Sequence, residues 1–225
     1  MIDTTIVIPA YKPTSLLKSC LDSLIEYTDF TKTKVIVVCN GSERDSVDYI
    51  FSLNNPSIRF VWSQEALGFT KAANIGLKMV DTPYLILLNT DVVLLPQEKH
   101  SWVNRMIQPL RGNPKLAITG IAQVWLNSRP FFPFFNVGLK KELVEKFGYL
   151  DEIFSPGYGE DIDLQWKMEN AGYESLMVTT TMHIENKLNI NDFPLYHASG
   201  GSFGKDSEAL LNRAYGIIID RYFKS

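Results

Sequence analysis

The sequence predicts an α/β domain with a mostly parallel central sheet flanked by helices, and three observations carry that expectation. Short apolar runs recur through the first half, at Thr5–Pro9, Val35–Val38, Ile58–Trp62 and Tyr84–Leu88. Each is followed by a segment with apolar residues at helical spacing, and strands apolar along their whole length belong in a sheet covered on both faces. The chain has 225 residues, 45% hydrophobic and 21% charged, with no linker or low-complexity stretch. One domain over residues 1–225 with a substantial core is therefore expected.

Taken in order, the first β-branched run stops at Pro9, and Leu17, Cys20, Leu21, Leu24 and Ile25 then mark a helix from Leu16 to Tyr27. The alternation repeats, with a helix around Val47–Phe51 after the second strand and one over Thr70–Val80 after the third. The fourth strand precedes a helix near Ser101–Leu110. Beyond it the pattern loosens. Leu116–Val124 reads as a strand, Lys140–Phe147 as a short helix, and Asp161–Ala171 as a helix that Gly172 stops. Ser207–Phe223 carries an apolar stripe through Leu210, Leu211, Ala214, Tyr215, Ile218 and Tyr222, with charges of mixed sign that favour a packed helix over a membrane anchor. Between these lies Phe131–Phe135, whose Pro130 and Pro133 forbid a central strand. Core packing is the favoured reading of this aromatic loop, Phe135 above all, and an exposed acceptor or partner patch, for which Phe131 and Phe132 are the candidates, is the alternative.

A net charge of −3 gives no general signal for nucleic-acid binding. Two cysteines, Cys20 in a helix and Cys39 in a strand, read as small buried hydrophobes and argue against a disulfide framework. The N-terminus enters strand-like sequence directly, without a signal-peptide pattern, and no apolar run approaches transmembrane length, so a cytoplasmic protein is expected.

Two acidic signatures carry the chemistry. Asn89-Thr90-Asp91 ends the fourth apolar run, the position where open α/β sheets bind ligands. Gly159-Glu160-Asp161-Ile162-Asp163 opens a helix behind the loop Ser155-Pro156-Gly157-Tyr158. One carboxylate to hold a metal and another to move a proton is the minimum for metal-assisted group transfer.

Five motifs in order, Val7-Ile8-Pro9-Ala10-Tyr11, Val38-Cys39-Asn40-Gly41-Ser42, Gly68-Phe69 through Asn74-Ile75-Gly76, Leu87-Leu88-Asn89-Thr90-Asp91 and Gly159-Glu160-Asp161-Ile162-Asp163-Leu164, resemble the family-2 glycosyltransferases of the GT-A fold, over about residues 4–204. The likeness is greatest to their rhamnosyltransferase-type branch. It implies a nucleotide-binding half over about 1–95 and an acceptor-facing half over about 96–225. It also implies a nucleotide-diphosphate sugar as donor, a glycan or other hydroxyl-bearing acceptor, inversion, and a divalent cation, Mn²⁺ or Mg²⁺, at the leaving diphosphate.

The resemblance assigns roles residue by residue. Asp91 is the expected metal ligand, with Asn89 offering only a neutral oxygen, and His197, in His197-Ala198-Ser199-Gly200-Gly201-Ser202, is the expected second ligand ahead of His183. Asp161 is the expected general base; Glu160 would orient acceptor or cap the helix, and Asp163 complements the helix dipole. Pro9, Ala10, Tyr11 and Asn40 would meet base and ribose, and Lys71 and Asn74 lie in the segment expected near the donor. Cys39 stands where many relatives carry an aspartate, and a thiol does not replace a carboxylate acceptor, so the base preference does not carry over. Two other readings stay open. A sugar nucleotidyltransferase is disfavoured because Ala10-Tyr11-Lys12-Pro13 is not a glycine-rich basic loop, and a non-catalytic sugar-nucleotide or glycan binder has no use for a base.

Overall fold

A computed structural model describes residues 1–179, 192–198 and 204–224, together with the backbone of 188–189. The first half follows the predicted alternation: β1 (Thr4–Ala10), α1 (Thr14–Tyr27), β2 (Thr33–Asn40), α2 (Arg44–Ser52), β3 (Ile58–Ser63), α3 (Phe69–Lys78) and β4 (Tyr84–Leu88). Then come β5 (Val92–Leu94), α4 (Ser101–Gly112), β6 (Leu116–Gly120), β7 (Val124–Leu126), β8 (Arg129–Phe131), β9 (Asn136–Lys140) and α5 (Lys141–Lys146). The rest is α6 (Glu160–Asn170), β10 (Glu174–Met177), β11 (Leu188–Asn189), β12 (Leu195–His197) and α7 (Ser207–Tyr222).

Seven strands form the central sheet in the order β10-β6-β9-β4-β1-β2-β3. All pair in parallel except β9, which runs antiparallel to both β4 and β6. The expected mostly parallel α/β architecture is thus present. Both faces are covered, which explains the uninterrupted apolar strands. On one face α1, α2 and α4 bury Leu21, Val47, Trp102 and Met106 against the sheet. On the other, α3, α5 and α6 bury Leu77, Val144, Leu164 and Met168. A satellite cluster of Phe131, Phe154, Ile162, Trp166, Ala214 and Ile218 fixes α7 to the outside of α6. No helix among the described residues is long and apolar enough to cross a membrane.

The second half departs from expectation in two places. The run Leu116–Val124 is not one strand, because β6 ends at Gly120. There the Phe132 ring lies so close that a Cβ on Gly120 would stand 2.5 Å from it. The stretch before the aromatic run forms a β7–β8 hairpin, turned by Asn127 and Ser128, both with positive φ (46° and 62°) as a two-residue loop requires. Pro130 is accommodated because this ribbon has only two strands. Phe131 and Phe132 are 5% and 1% exposed, so the favoured packed reading holds and the alternative of an exposed patch does not: Phe131 joins the α6–α7 cluster and Phe132 the sheet core. Phe135 packs, as expected.

Gly120→Ala is expected to lower stability by about 1–3 kcal/mol, because overpacking against a fixed ring strains a finished core. Gly112→Ala, at the open end of α4 with nothing within 4 Å of the new Cβ, is expected to be neutral or to add up to about 1 kcal/mol. Urea denaturation of the two variants checks both signs.

Candidate active site

Because β1, β2 and β4 are parallel, the loops that follow them gather at one edge of the sheet, where open α/β sheets form ligand-binding crevices. A pocket of about 450 Å³ opens there, bounded by Pro9, Tyr11, Lys12, Asn40, Gly68 and Asp91, with Asn89, Thr90 and Pro156 also on its wall. Among the expected nucleotide contacts, Pro9, Tyr11, Asn40 and Asn89 therefore share one cavity. Asn40 also holds the cavity's shape, since its Oδ1 accepts from Leu67 N–H (2.5 Å) and its Nδ2 donates to Gly68 O (3.3 Å).

Three expected donor contacts stand elsewhere. Ala10 is fully buried, and its carbonyl accepts from Ser42 Oγ at 3.0 Å. Lys71 is exposed on the first turn of α3 and is absent from the pocket wall. Asn74 is a staple rather than a donor contact: its Nδ2 donates to Leu150 O (2.9 Å) and Glu152 Oε1 (3.1 Å), and its Oδ1 accepts from Leu150 N–H (3.0 Å). The cation that does line the pocket is Lys12, which the sequence reading passed over. Its ion pair with Glu43 at 3.5 Å is exposed on both sides and weakly held.

Asp91 and His197 come together although 106 positions separate their numbers (197 − 91). The short strand β5 follows Asp91 and pairs antiparallel with β12, which ends at His197. His197 Nε2 stands 3.2 Å from Asp91 Oδ2, and its ring stacks on Phe135 at 4.0 Å with only 8° between planes. Among the described residues no three His, Cys, Asp or Glu side chains form a metal cage. Yet Asn89 Oδ1, Asp91 Oδ1 and His197 Nδ1 are buried atoms without a hydrogen-bond partner. Buried polar atoms are usually satisfied, so orphans on these three residues call for an explanation. Two oxygens and an imidazole nitrogen are a donor set that suits a divalent cation. His183 and the segment Ser199–Ser202 lie outside the described residues.

The second acidic signature divides its carboxylates among three directions. Gly159 takes φ +90° ahead of α6, where a Cβ would meet the Phe154 ring at 2.8 Å. Glu160 turns toward α3 and accepts from Thr70 Oγ1 at 3.5 Å. Burial, reinforced by the neighbouring Asp161 charge, drives its pKa well above the usual carboxylate range. Asp161 Oδ1 accepts from Ile162 N–H at 2.8 Å. Burial lifts its pKa to about 6, held back by the N–H groups of Ile162, Phe134 and Gly159. Asp163 does more than complement the helix dipole: it is 1% exposed and bonded to Lys167, Arg221 and Tyr222. Glycine at 159 and acids at 160–163 were visible in sequence; the partners on α7 were not, because they lie some sixty residues downstream with nothing local to announce them.

The α3 start and the segment before α6 are tied together beside the pocket. Phe69 N–H donates to Pro156 O at 2.6 Å, and Ser155 Oγ reaches Leu67 O at 3.5 Å. Gly68, with φ +82°, leaves no room for a side chain against Pro156. The wall of the cavity and the helix start that carries Asp161 are therefore one mechanical unit.

Comparison with known proteins agrees with this geometry at the level of fold. A mannosyltransferase from Pyrobaculum calidifontis, solved with GDP-Man and Mn²⁺, superposes with a TM-score of 0.64 at 18% identity, over 77% of this chain and 54% of that one. GalNAc-T7, solved with UDP, GalNAc and Mn²⁺, gives 0.66 at 14% identity, over 78% and 41%. S. aureus TarS 1-349 gives 0.65 at 14% identity, over 97% and 66%. The chain spans less than two thirds of each of these neighbours. No curated protein matches it in sequence. The model of one family, "Glycosyl transferase family 2", matches residues 5–149, well over half of the chain, and the protein belongs to that family.

Proposed function

We propose that the protein transfers a hexosyl or deoxyhexosyl group from a nucleotide-diphosphate sugar to a hydroxyl acceptor, with inversion and with the help of a divalent cation. The observation that carries the reading is a largely buried Asp91–His197 pair with orphaned donor atoms, of which Asp91 lines the pocket, and a desolvated Asp161 downstream of the Pro156 that walls it. The solved neighbours that hold nucleotides together with Mn²⁺ support the same ligand classes.

In this reading Pro9, Tyr11 and Asn40 line the nucleotide end of the pocket, and Lys12 offers positive charge to the diphosphate. Asp91, His197 and the Asn89 oxygen would hold the cation, which supplies charge neutralisation for the departing diphosphate. Asp161 accepts the acceptor hydroxyl's proton as that oxygen attacks the anomeric carbon from the face opposite the leaving group. Burial favours this role: a carboxylate raised toward neutrality is a stronger base than an exposed one, and closer to the working pH. Glu160, still more disfavoured as an anion, is suited to donate a hydrogen bond to an acceptor group.

Asp161→Asn is expected to lower kcat by about 10²–10⁴-fold, while affinity for UDP or GDP with Mn²⁺ stays unchanged by calorimetry. Unchanged turnover would remove Asp161 from the mechanism. The same change should raise the melting temperature at pH 7.5. A carboxylate whose folded pKa is raised penalises the fold in full above that pKa, and the penalty fades as pH falls from about 6 toward the unfolded value near about 3.9, below which it is gone.

The pH profile follows from the same shift. The base works only when ionised, so kcat should be full above the folded pKa of about 6 and fall about tenfold per unit below it. A flat profile down to pH 4.5 would contradict the assignment.

Asp91→Ala and His197→Ala should each weaken Mn²⁺ binding, measured with nucleoside diphosphate present, by about tenfold or more. His183→Ala should leave it unchanged. Loss confined to His183→Ala would move the second ligand to that residue.

A further inference from the structure

We infer that α7 is a positioning element of the active site, and that Arg221 and Asp163 act as positioning residues for the Asp161 carboxylate. The inference rests on the transferase reading above. It begins from where the contacts of α7 end. Among the described residues, every hydrogen bond that a side chain of α7 makes outside the helix terminates on the segment 151–163. Arg213 donates to Ser155 O (3.0 Å) and Ile153 O (2.5 Å). In mid-helix the Ala214 methyl closes over Gly159, whose missing side chain leaves room for it. At the far end Arg221 bridges Asp151 (3.0 Å) and Asp163 (2.5 Å), and Tyr222 Oη donates to Asp163 at 2.8 Å.

Asp163 is the anchor of this grip. A carboxylate so deeply buried is tolerated as an ion only with several partners on it, and it has Arg221, Lys167 and Tyr222. It lies two positions after Asp161 in the opening turns of α6. A helix transmits position rigidly over that distance, so fixing Asp163 fixes Asp161. The same clamp holds Ser155, adjacent to the Pro156 that walls the pocket. Polar contacts placed for stability alone would be spread over the faces that α7 covers; these converge on the segment that carries the base.

The test compares the parent with Arg221→Met, Arg221→Lys and Tyr222→Phe. Nucleoside diphosphate release is followed over a panel of UDP- and GDP-sugars, with UDP or GDP binding in Mn²⁺ and amide hydrogen exchange alongside. Arg221→Met is expected to lower kcat by about tenfold or more while nucleotide affinity stays within about twofold, since misplacing a base costs turnover rather than donor binding. Arg221→Lys should restore most of the loss, and faster exchange should be confined to residues 155–165. Asp220→Ala, which breaks only an exposed pair with Lys224 on the same tail, should change nothing. Unchanged kcat in a folded Arg221→Met protein would overturn the inference, as would parallel loss of kcat and nucleotide affinity with exchange rising throughout. If Arg221→Met does not fold, Tyr222→Phe carries the same comparison with a smaller expected loss. A parent that releases nucleoside diphosphate from no donor refutes the transferase reading. Exchange then decides the grip of α7 alone, and unchanged protection at 155–165 overturns it.

Discussion

The site depends on one reversal in the sheet. Strand β9 runs antiparallel between β4 and β6, so its first residues arrive at the edge where β4 ends. Asn89 N–H donates to Phe135 O at 2.9 Å, which closes the last rung between them. Phe135 then offers its ring to His197. Had the strand after β6 been parallel, its start would lie at the opposite edge, some 17–20 Å away for a strand of ordinary length. The reversal therefore joins the half that reads as nucleotide-binding to the half that supplies His197 and Asp161.

A second constraint is the absence of slack between α3 and the segment before α6. Asn74, Phe69 and Gly68 are all engaged with residues 150–156, through a side-chain amide, a backbone bond and a close backbone approach. Positive φ at Gly68 brings its backbone against Pro156 where a Cβ would force the two apart. Preorganisation of this kind matters more for transfer than for binding, because a reacting group must be held to fractions of an ångström.

The first half of the fold was legible in sequence because each of its elements has its own local signal. Val35–Val38 is apolar and β-branched, and the Leu17-to-Leu24 spacing is helical, so strand and helix declare themselves without reference to partners. The hairpin at Asn127-Ser128 was not legible, since a short two-strand ribbon with a proline has no periodicity to detect. Much the same division holds at the site. Asn89-Thr90-Asp91 follows a strand, and Glu160-Asp161 opens a helix, so their edge positions could be read. That Lys12 rather than Lys71 borders the cavity, and that Asn74 is taken up by Leu150 and Glu152, depends on how the loops fold back. Motif order places a residue near a ligand; only packing says which way its side chain turns.

The two aspartates of α6 show why the neighbours of a buried charge, and not its burial alone, decide its use. Asp163 is ringed by two cations and a phenol and serves as structure. Asp161, on the same helix, meets backbone N–H groups and a second acid, and among the described residues no cation is paired with it. Backbone donors support an anion without fixing it, so burial still pushes Asp161 toward the neutral form. A cation beside it would hold the carboxylate ionised and lower its appetite for a proton. Placing every cation of the cluster on Asp151 and Asp163 leaves the neighbouring acid rigidly held yet unpaired. That is the state in which a carboxylate can take a proton from a sugar hydroxyl.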